Sequence, residues 1–208
     1  MEKDWSPIAK KFDKFQHYIA GEETISQIIA KLSQLKELGN VVEFGCGTGH
    51  YTKMLATNCN TILATDISEQ MIEIAKTNLI EFDNISVQQT NCYSTNLAES
   101  SYDTVFMANL IHVVSQPEKA LAEAYRLLKP NGKLIIVSYT TDGMTYINIL
   151  KMIYRYLKVF GKPPKGGTKF GLNTLIDFVN THRFNVDEAK LLGDKQSKAM
   201  FVIAKKSS

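Results

Sequence analysis

Apolar residues recur along this chain at two spacings, and the alternation between them predicts its elements. Ile8, Phe12, Phe15 and Ile19 fall three and four residues apart, which suits one face of a helix over residues 7–20. Ile25, Ile28, Ile29, Leu32 and Leu35 predict a second helix over 22–38, stopped by Gly39. Short strand-like runs then alternate with helical ones. The strands are Val41–Phe44, Thr61–Thr65, Ile85–Gln89, Asp103–Ala108 and Lys133–Tyr139. The first helix between them spans His50–Thr57, and the second is capped by Ser68 and runs to about Leu79. A third is opened by a Ser115/Glu118 capping box and ends near Leu128, before a turn at Lys129-Pro130-Asn131-Gly132. Helices over 143–162 and 172–180 follow. Phe184–Leu192 and Ala199–Lys205 read as strands joined by a polar turn at 193–197, too short for anything but antiparallel pairing.

The chemistry concentrates where the first strand ends. Val41-Val42-Glu43-Phe44 runs into Gly45-Cys46-Gly47-Thr48-Gly49, three glycines at alternate positions. Such a loop turns sharply and lets a ligand approach the backbone and the first amides of the following helix. The second strand ends in Asp66, placed to accept both hydroxyl hydrogen bonds of a ribose. Together the two features indicate a nucleoside cofactor. A dinucleotide loop would read G-x-G-x-x-G, whereas this chain has G-x-G-x-G with Glu43 two residues ahead. A carboxylate there receives an ammonium group and repels a phosphate, so the ligand is better read as carrying an amino-acid portion.

On these residues the chain resembles the class I S-adenosylmethionine-dependent methyltransferases, of the small-molecule, type 11-like kind. Glu43 to Gly49 resembles the family's first motif, and Asp66-Ile67-Ser68-Glu69-Gln70-Met71 its acidic loop. Asn91-Cys92 stands where its adenine-binding pair does, with an amide where the family often has an acid. Tyr102–Phe106 followed by Asn109-Leu110-Ile111-His112 is similar to the fourth strand and its exit, and Leu128–Leu134 to the turn into the fifth. The resemblance implies an α/β, Rossmann-like, doubly wound sheet of seven mostly parallel strands, with one antiparallel strand near the C-terminus. It implies S-adenosyl-L-methionine as cofactor. Glu43, Gly45, Cys46, Gly47, Thr48 and Gly49 would face its methionine portion, Asp66 its ribose, and Ile67, Met71, Asn91 and Cys92 its adenine, with Asn109 at the strand exit. One domain over 1–208 is expected, with an N-terminal helical cap at about 1–38 and a substrate-side helical insertion at about 143–170.

Composition narrows the partners. Hydrophobic content of 44% and charged content of 22% are ordinary for a globular protein, and a net charge of +3 does not by itself indicate nucleic acid. Cys46, Cys59 and Cys92 are odd in number and form no C-x-x-C pair, which supports neither a disulfide framework nor a metal site. The N-terminus lacks the apolar core of a signal peptide, and no apolar run reaches membrane-span length. A cytoplasmic enzyme, monomer or homodimer, is expected.

The acceptor is less sharply written. His112 at the exit of the fourth strand is the candidate base, and with Tyr18 and Tyr139 the candidate substrate contact; a lone histidine near an apolar stretch and an aromatic residue on a helix are more often structural, and that reading stands beside the functional one. The absence of N-P-P-Y, D-P-P-Y and Pro-Cys patterns lowers nucleic-acid substrates and favours a small organic acceptor. Residues 151–170 hold six basic residues and no acidic one. At about 100° per residue Lys151, Arg155, Lys158 and Lys162 share a stripe beside a wide apolar face. This helix reads either as a lid for an anionic or lipid-like acceptor, as a peripheral membrane contact, or as a solvated basic edge. The rival readings are a nicotinamide oxidoreductase, a methyltransferase for RNA or protein, and a non-catalytic cofactor-binding protein.

Overall fold

A computed structural model describes residues 3–164 and 166–207, so that Lys165, one of the six basic residues of 151–170, lies outside it. Seven strands form one sheet in the order β3-β2-β1-β4-β5-β7-β6. These are β1 (Asn40–Phe44), β2 (Thr61–Asp66), β3 (Ile85–Gln89), β4 (Tyr102–Ala108), β5 (Leu128–Thr140), β6 (Phe184–Gly193) and β7 (Lys198–Lys206). β1 pairs in parallel with both β2 and β4, and β4 with β5. β7 runs antiparallel to its neighbours β5 and β6, joined to β6 by the short polar turn. The predicted sheet, mostly parallel with one antiparallel strand, is the observed one. Strand order reverses between β1 and β4, and open α/β sheets bind ligands outside the carboxyl ends of the strands at that point.

The central strands are apolar on both faces because helices cover both. Phe44, Val105, Met107, Leu134 and Ile136 face one core with α5 (Pro117–Leu127) and α7 (Leu172–Thr181). Val41, Ile62, Ala64, Phe106, Ile135 and Val137 face the other with α2 (Glu22–Ser33) and α4 (Glu69–Asn78). Remaining elements are α1 (Phe12–Ala20), preceded by a 3-10 turn over Ser6–Lys11, α3 (Thr52–Leu55) and α6 (Tyr146–Phe160).

Four local expectations need correction. The second helix ends at Ser33 rather than Leu38. Leu35 and Leu38 are still buried, delivered by an irregular segment in which Glu37 adopts φ +54°. The helix after the glycine loop is one turn, Thr52–Leu55, followed by 3-10 geometry over Ala56–Asn58, and the Asn58 carbonyl accepts from the Leu38 N–H (3.1 Å). α5 begins at Pro117 with no side-chain cap, so there is no Ser115/Glu118 capping box. Proline at the first position presets the helical φ, and the N–H groups of Ser115 and Gln116 donate instead to the Tyr93 hydroxyl (3.1 and 3.3 Å). Finally, the turn at 129–132 lies inside β5. Its pairing steps from Tyr102↔Leu128 to Thr104↔Lys133 around Asn131, at φ +61°.

Candidate active site

β1 and β2 end side by side and bring two carboxyl groups to one place. Glu43 is buried, and one of its oxygens accepts a 2.6 Å hydrogen bond from the Thr52 hydroxyl on α3. Burial pushes its pKa up to about 8; the Thr52 bond opposes this and the Asp66 charge adds to it. Asp66 is also raised by burial, while amides hold it in position: one oxygen accepts from the Gly47 N–H and the other from the Ser68 N–H, both at 2.9 Å. A carboxylate has about four acceptor directions, so two backbone bonds leave capacity for two ligand hydroxyls.

The loop between them is built as its glycines require. Gly45, Gly47 and Gly49 all adopt positive φ (71°, 56° and 80°), a region that costs side-chain-bearing residues roughly 1–2 kcal/mol. The Cys46 N–H extends the β1–β2 pairing to the Thr65 carbonyl (2.8 Å), and Thr65 Oγ1 donates to the Glu43 carbonyl (2.6 Å). Cys46 itself is buried, its thiol pKa pushed well up by burial and then by Glu43 and Asp66. Two acids raised by burial, with no cation among the partners just described, form a cation-seeking site. An ammonium group would relieve it, whereas a pyrophosphate would aggravate it. The residues therefore fit a cofactor with an amino-acid portion and a ribose.

Across the switch point, Asn109 ends β4 at φ +55°. Its N–H donates to the Val137 carbonyl (2.7 Å) and its Oδ1 accepts from the Tyr139 N–H (3.2 Å), while its amide nitrogen is buried without a hydrogen-bond partner. An unpaired buried donor in a sparsely populated backbone region marks a place where a ligand group is wanted. His112 Nδ1 shares a 2.8 Å hydrogen bond with Ser138 Oγ, and burial pulls the imidazole pKa down to about 4. It is therefore neutral at neutral pH. The Tyr139 hydroxyl lies 3.3 Å from that of Tyr51, and burial pushes Tyr139 well up and Tyr51 to about 12, so neither ionises near neutrality.

The remaining expected residues scatter. Thr48 gives its hydroxyl hydrogen to Asp13 Oδ1 of α1 (2.6 Å), fastening the N-terminal segment onto the loop. A Cβ on Gly47 would lie 3.9 Å from Phe12, which stacks on Phe160 of α6 at 5.6 Å and meets Trp5 edge-on at 5.8 Å. Met71 is buried under α4, Ile67 is half exposed, and Asn91 Oδ1 accepts from the Tyr93 N–H (2.9 Å) in a local turn beside half-buried Cys92. Tyr18 is an exposed residue of α1. It lines an open groove of about 480 Å³ between α1 and α6 with Leu150, Lys151, Tyr154 and Arg155. Asp13, Tyr51, Thr52 and Ser138 escaped sequence reasoning because each is an ordinary polar or aromatic residue whose role depends on a partner distant in the chain.

Comparison with known proteins agrees with this geometry. Residues 42–136 match the methyltransferase domain family. The chain is 28% identical to a demethylmenaquinone methyltransferase of Tropheryma whipplei over 56% of its length and 48% of the relative's. It is 25% identical to a ubiquinone/menaquinone biosynthesis C-methyltransferase of Legionella pneumophila over 64% and 57%. The match thus spans about half the length of these two relatives. Among solved structures, an S-adenosylmethionine-dependent methyltransferase of Thermotoga maritima superposes with a TM-score of 0.74 at 21% identity over 98% of each chain, which establishes the fold.

Proposed function

We propose that this chain, whose residues 42–136 match the methyltransferase domain family, is an S-adenosylmethionine-dependent methyltransferase that acts on a small, apolar or amphiphilic organic acceptor. One observation carries the reading: Glu43 and Asp66, both raised by burial, flank a glycine loop and select for a cationic, ribose-bearing cofactor. Glu43 would hold the ammonium group, the Gly45–Gly49 loop the methionine backbone, Asp66 the ribose, and Ile67, Met71, Asn91 and Cys92 the adenine, with the Asn109 amide as a further donor. When bound, the sulfonium supplies an activated methyl group together with its own leaving group.

The chain's own residues then align the acceptor and exclude water. The Trp5, Phe12, Phe15 and Phe160 rings form an aromatic cover over the loop. His112 is neutral, and in the tautomer whose Nδ1–H donates to Ser138 Oγ its Nε2 would receive a hydrogen bond from an acceptor hydroxyl. A histidine held near 4 positions such a group more effectively than it deprotonates one. An acceptor with an apolar ring is supported by the two relatives named for quinone methylation.

Calorimetric titration with S-adenosylhomocysteine and, separately, with a nicotinamide dinucleotide tests the cofactor. Binding of the first alone is expected, and binding of the second alone would overturn the reading. Transfer of labelled methyl from the cofactor to a panel of phenols, hydroquinones and fatty acids then tests the acceptor class. Transfer to RNA or protein and to none of these would overturn it.

A further inference from the structure

Helix α6 carries its apolar residues on the wrong side for a helix that serves only packing. None of its residues is buried. Of the nine large apolar side chains exposed among the described residues, six belong to it: Tyr146, Ile147, Leu150, Ile153, Tyr154 and Leu157. At about 100° per residue they form one continuous outward arc, bordered by the exposed Lys151 and Lys158. The inward arc does the packing, with Phe160 against Trp5, Phe12, Phe15 and Tyr156. Arg155 also turns inward, donating to the Gln196 carbonyl at 2.9 Å. The basic stripe expected from sequence is therefore split, with two lysines edging the exposed apolar arc and the arginine tying the helix down.

Contiguous apolar exposure of this kind marks an interaction surface, and charge identifies the partner. From residue 143 to 176 the chain has six basic residues and no acidic one. Tyr146 and Tyr154 have the amphipathic rings that settle at the headgroup level. Tyr18 of α1, with the Lys158 ammonium 5.9 Å from its ring, extends the surface, and the groove beside it carries Lys151 and Arg155. Among the described residues no helix is long and apolar enough to cross a bilayer. We infer that the outer face of α6, with Tyr18, docks on the surface of an anionic lipid bilayer, apolar side chains in the headgroup boundary and lysines on lipid phosphates. A second copy fits less well, since pairing two such faces would bring like-charged edges together.

The docking face is the back of the segment that covers the glycine loop. If the proposed function holds, an amphiphilic acceptor would reach the site from the bilayer; the docking itself does not depend on that reading.

Flotation of the full chain with vesicles of phosphatidylcholine, alone or mixed with phosphatidylglycerol, tests the inference. Wild type should float with the mixed vesicles, less so at high salt. The double variant Leu150→Ser/Tyr154→Ser should lose most of this, about tenfold or more in partitioning, and Lys151→Glu/Lys158→Glu should lose the preference for anionic lipid. Unchanged circular dichroism would exclude unfolding. Wild type that stays with the soluble fraction, or variants that float as well as wild type, would overturn the proposal. So would a wild-type dimer in light scattering that the Leu150→Ser/Tyr154→Ser pair dissociates. Loss of docking with S-adenosylhomocysteine binding intact counts against this inference alone; docking without such binding counts against the functional reading alone.

Discussion

The Thr52 hydroxyl sits 2.6 Å from a Glu43 carboxyl oxygen, so the first turn after the glycine loop is tied to the strand before it. This bond aims Glu43 and partly offsets the cost of its burial. With a ligand ammonium beside it Glu43 would be ionised, and removing a hydrogen bond to such a charged group costs about 1.5–3 kcal/mol. Thr52→Ala should accordingly weaken S-adenosylhomocysteine binding by roughly tenfold to a hundredfold, and Thr52→Ser should restore it. Equal affinities for wild type and Thr52→Ala in calorimetry would show that Glu43 needs no such support.

Glu43 should also release a proton on cofactor binding. Its folded pKa near 8 leaves it protonated at pH 7, and a ligand ammonium beside it favours the carboxylate. The binding enthalpy at pH 7 should therefore vary with the ionisation enthalpy of the buffer, and Glu43→Gln should abolish that dependence. Without ligand the linkage has the opposite sense to an ordinary acid. The folded state holds the proton more tightly than the unfolded chain, so stability is lost as pH rises from about 4.5 to about 8.

His112 contributes a slope of the other sign. Its folded pKa near 4 lies below the ordinary 6.5, so the unfolded chain binds the proton more tightly and stability falls as pH drops through that window. The total is on the order of 3 kcal/mol. Denaturant titrations of wild type and His112→Gln at a series of pH values should show a smaller acid-side loss in the variant, the remainder coming from His50 and from acids such as Glu123 whose pKa values are also lowered by folding.

Gly45 is held at φ +71°, and a Cβ there would stand 2.7 Å from Leu110 Cδ1. Gly45→Ala should cost roughly 1–2 kcal/mol from the backbone alone, and further affinity because Leu110 borders the site. A thermal midpoint and a cofactor affinity both equal to wild type would contradict the strained loop.

Asp13 fastens α1 to the loop through Thr48. Asp13→Ala should raise amide exchange across residues 12–20 and speed cofactor dissociation, while leaving exchange in β1 and β4 unchanged. If exchange in α1 is unaltered, the aromatic packing of Phe12 and Phe15 on Phe160 is sufficient by itself.

The strands could be read from the chain because each is a short apolar run that two helical layers must cover. The helix ends could not. Leu35 and Leu38 satisfy the helical spacing, yet they are buried from an irregular segment, since burial rewards the side chain whatever the backbone does. Ser115 and Glu118 have the spacing of a capping box, but the Tyr93 hydroxyl, more than twenty residues earlier, takes the amides. A pattern within one segment cannot register a partner outside it.

By itself the sequence determined the glycine loop, the acid at the tip of each of two strands and the alternation that yields a parallel sheet, since backbone freedom, charge and periodicity are properties of neighbouring residues. Only the tertiary structure decided how those acids behave. Burial beside one another raises Glu43 and Asp66, burial lowers His112, and the Thr52, Ser138 and Asp13 contacts join segments far apart in the chain. It also decided which side of α6 meets the protein. The apolar residues of that helix extend around more than one face, and the Trp5–Phe12–Phe15–Phe160 seam selects one arc for packing, leaving Tyr146, Leu150, Tyr154 and Leu157 outside.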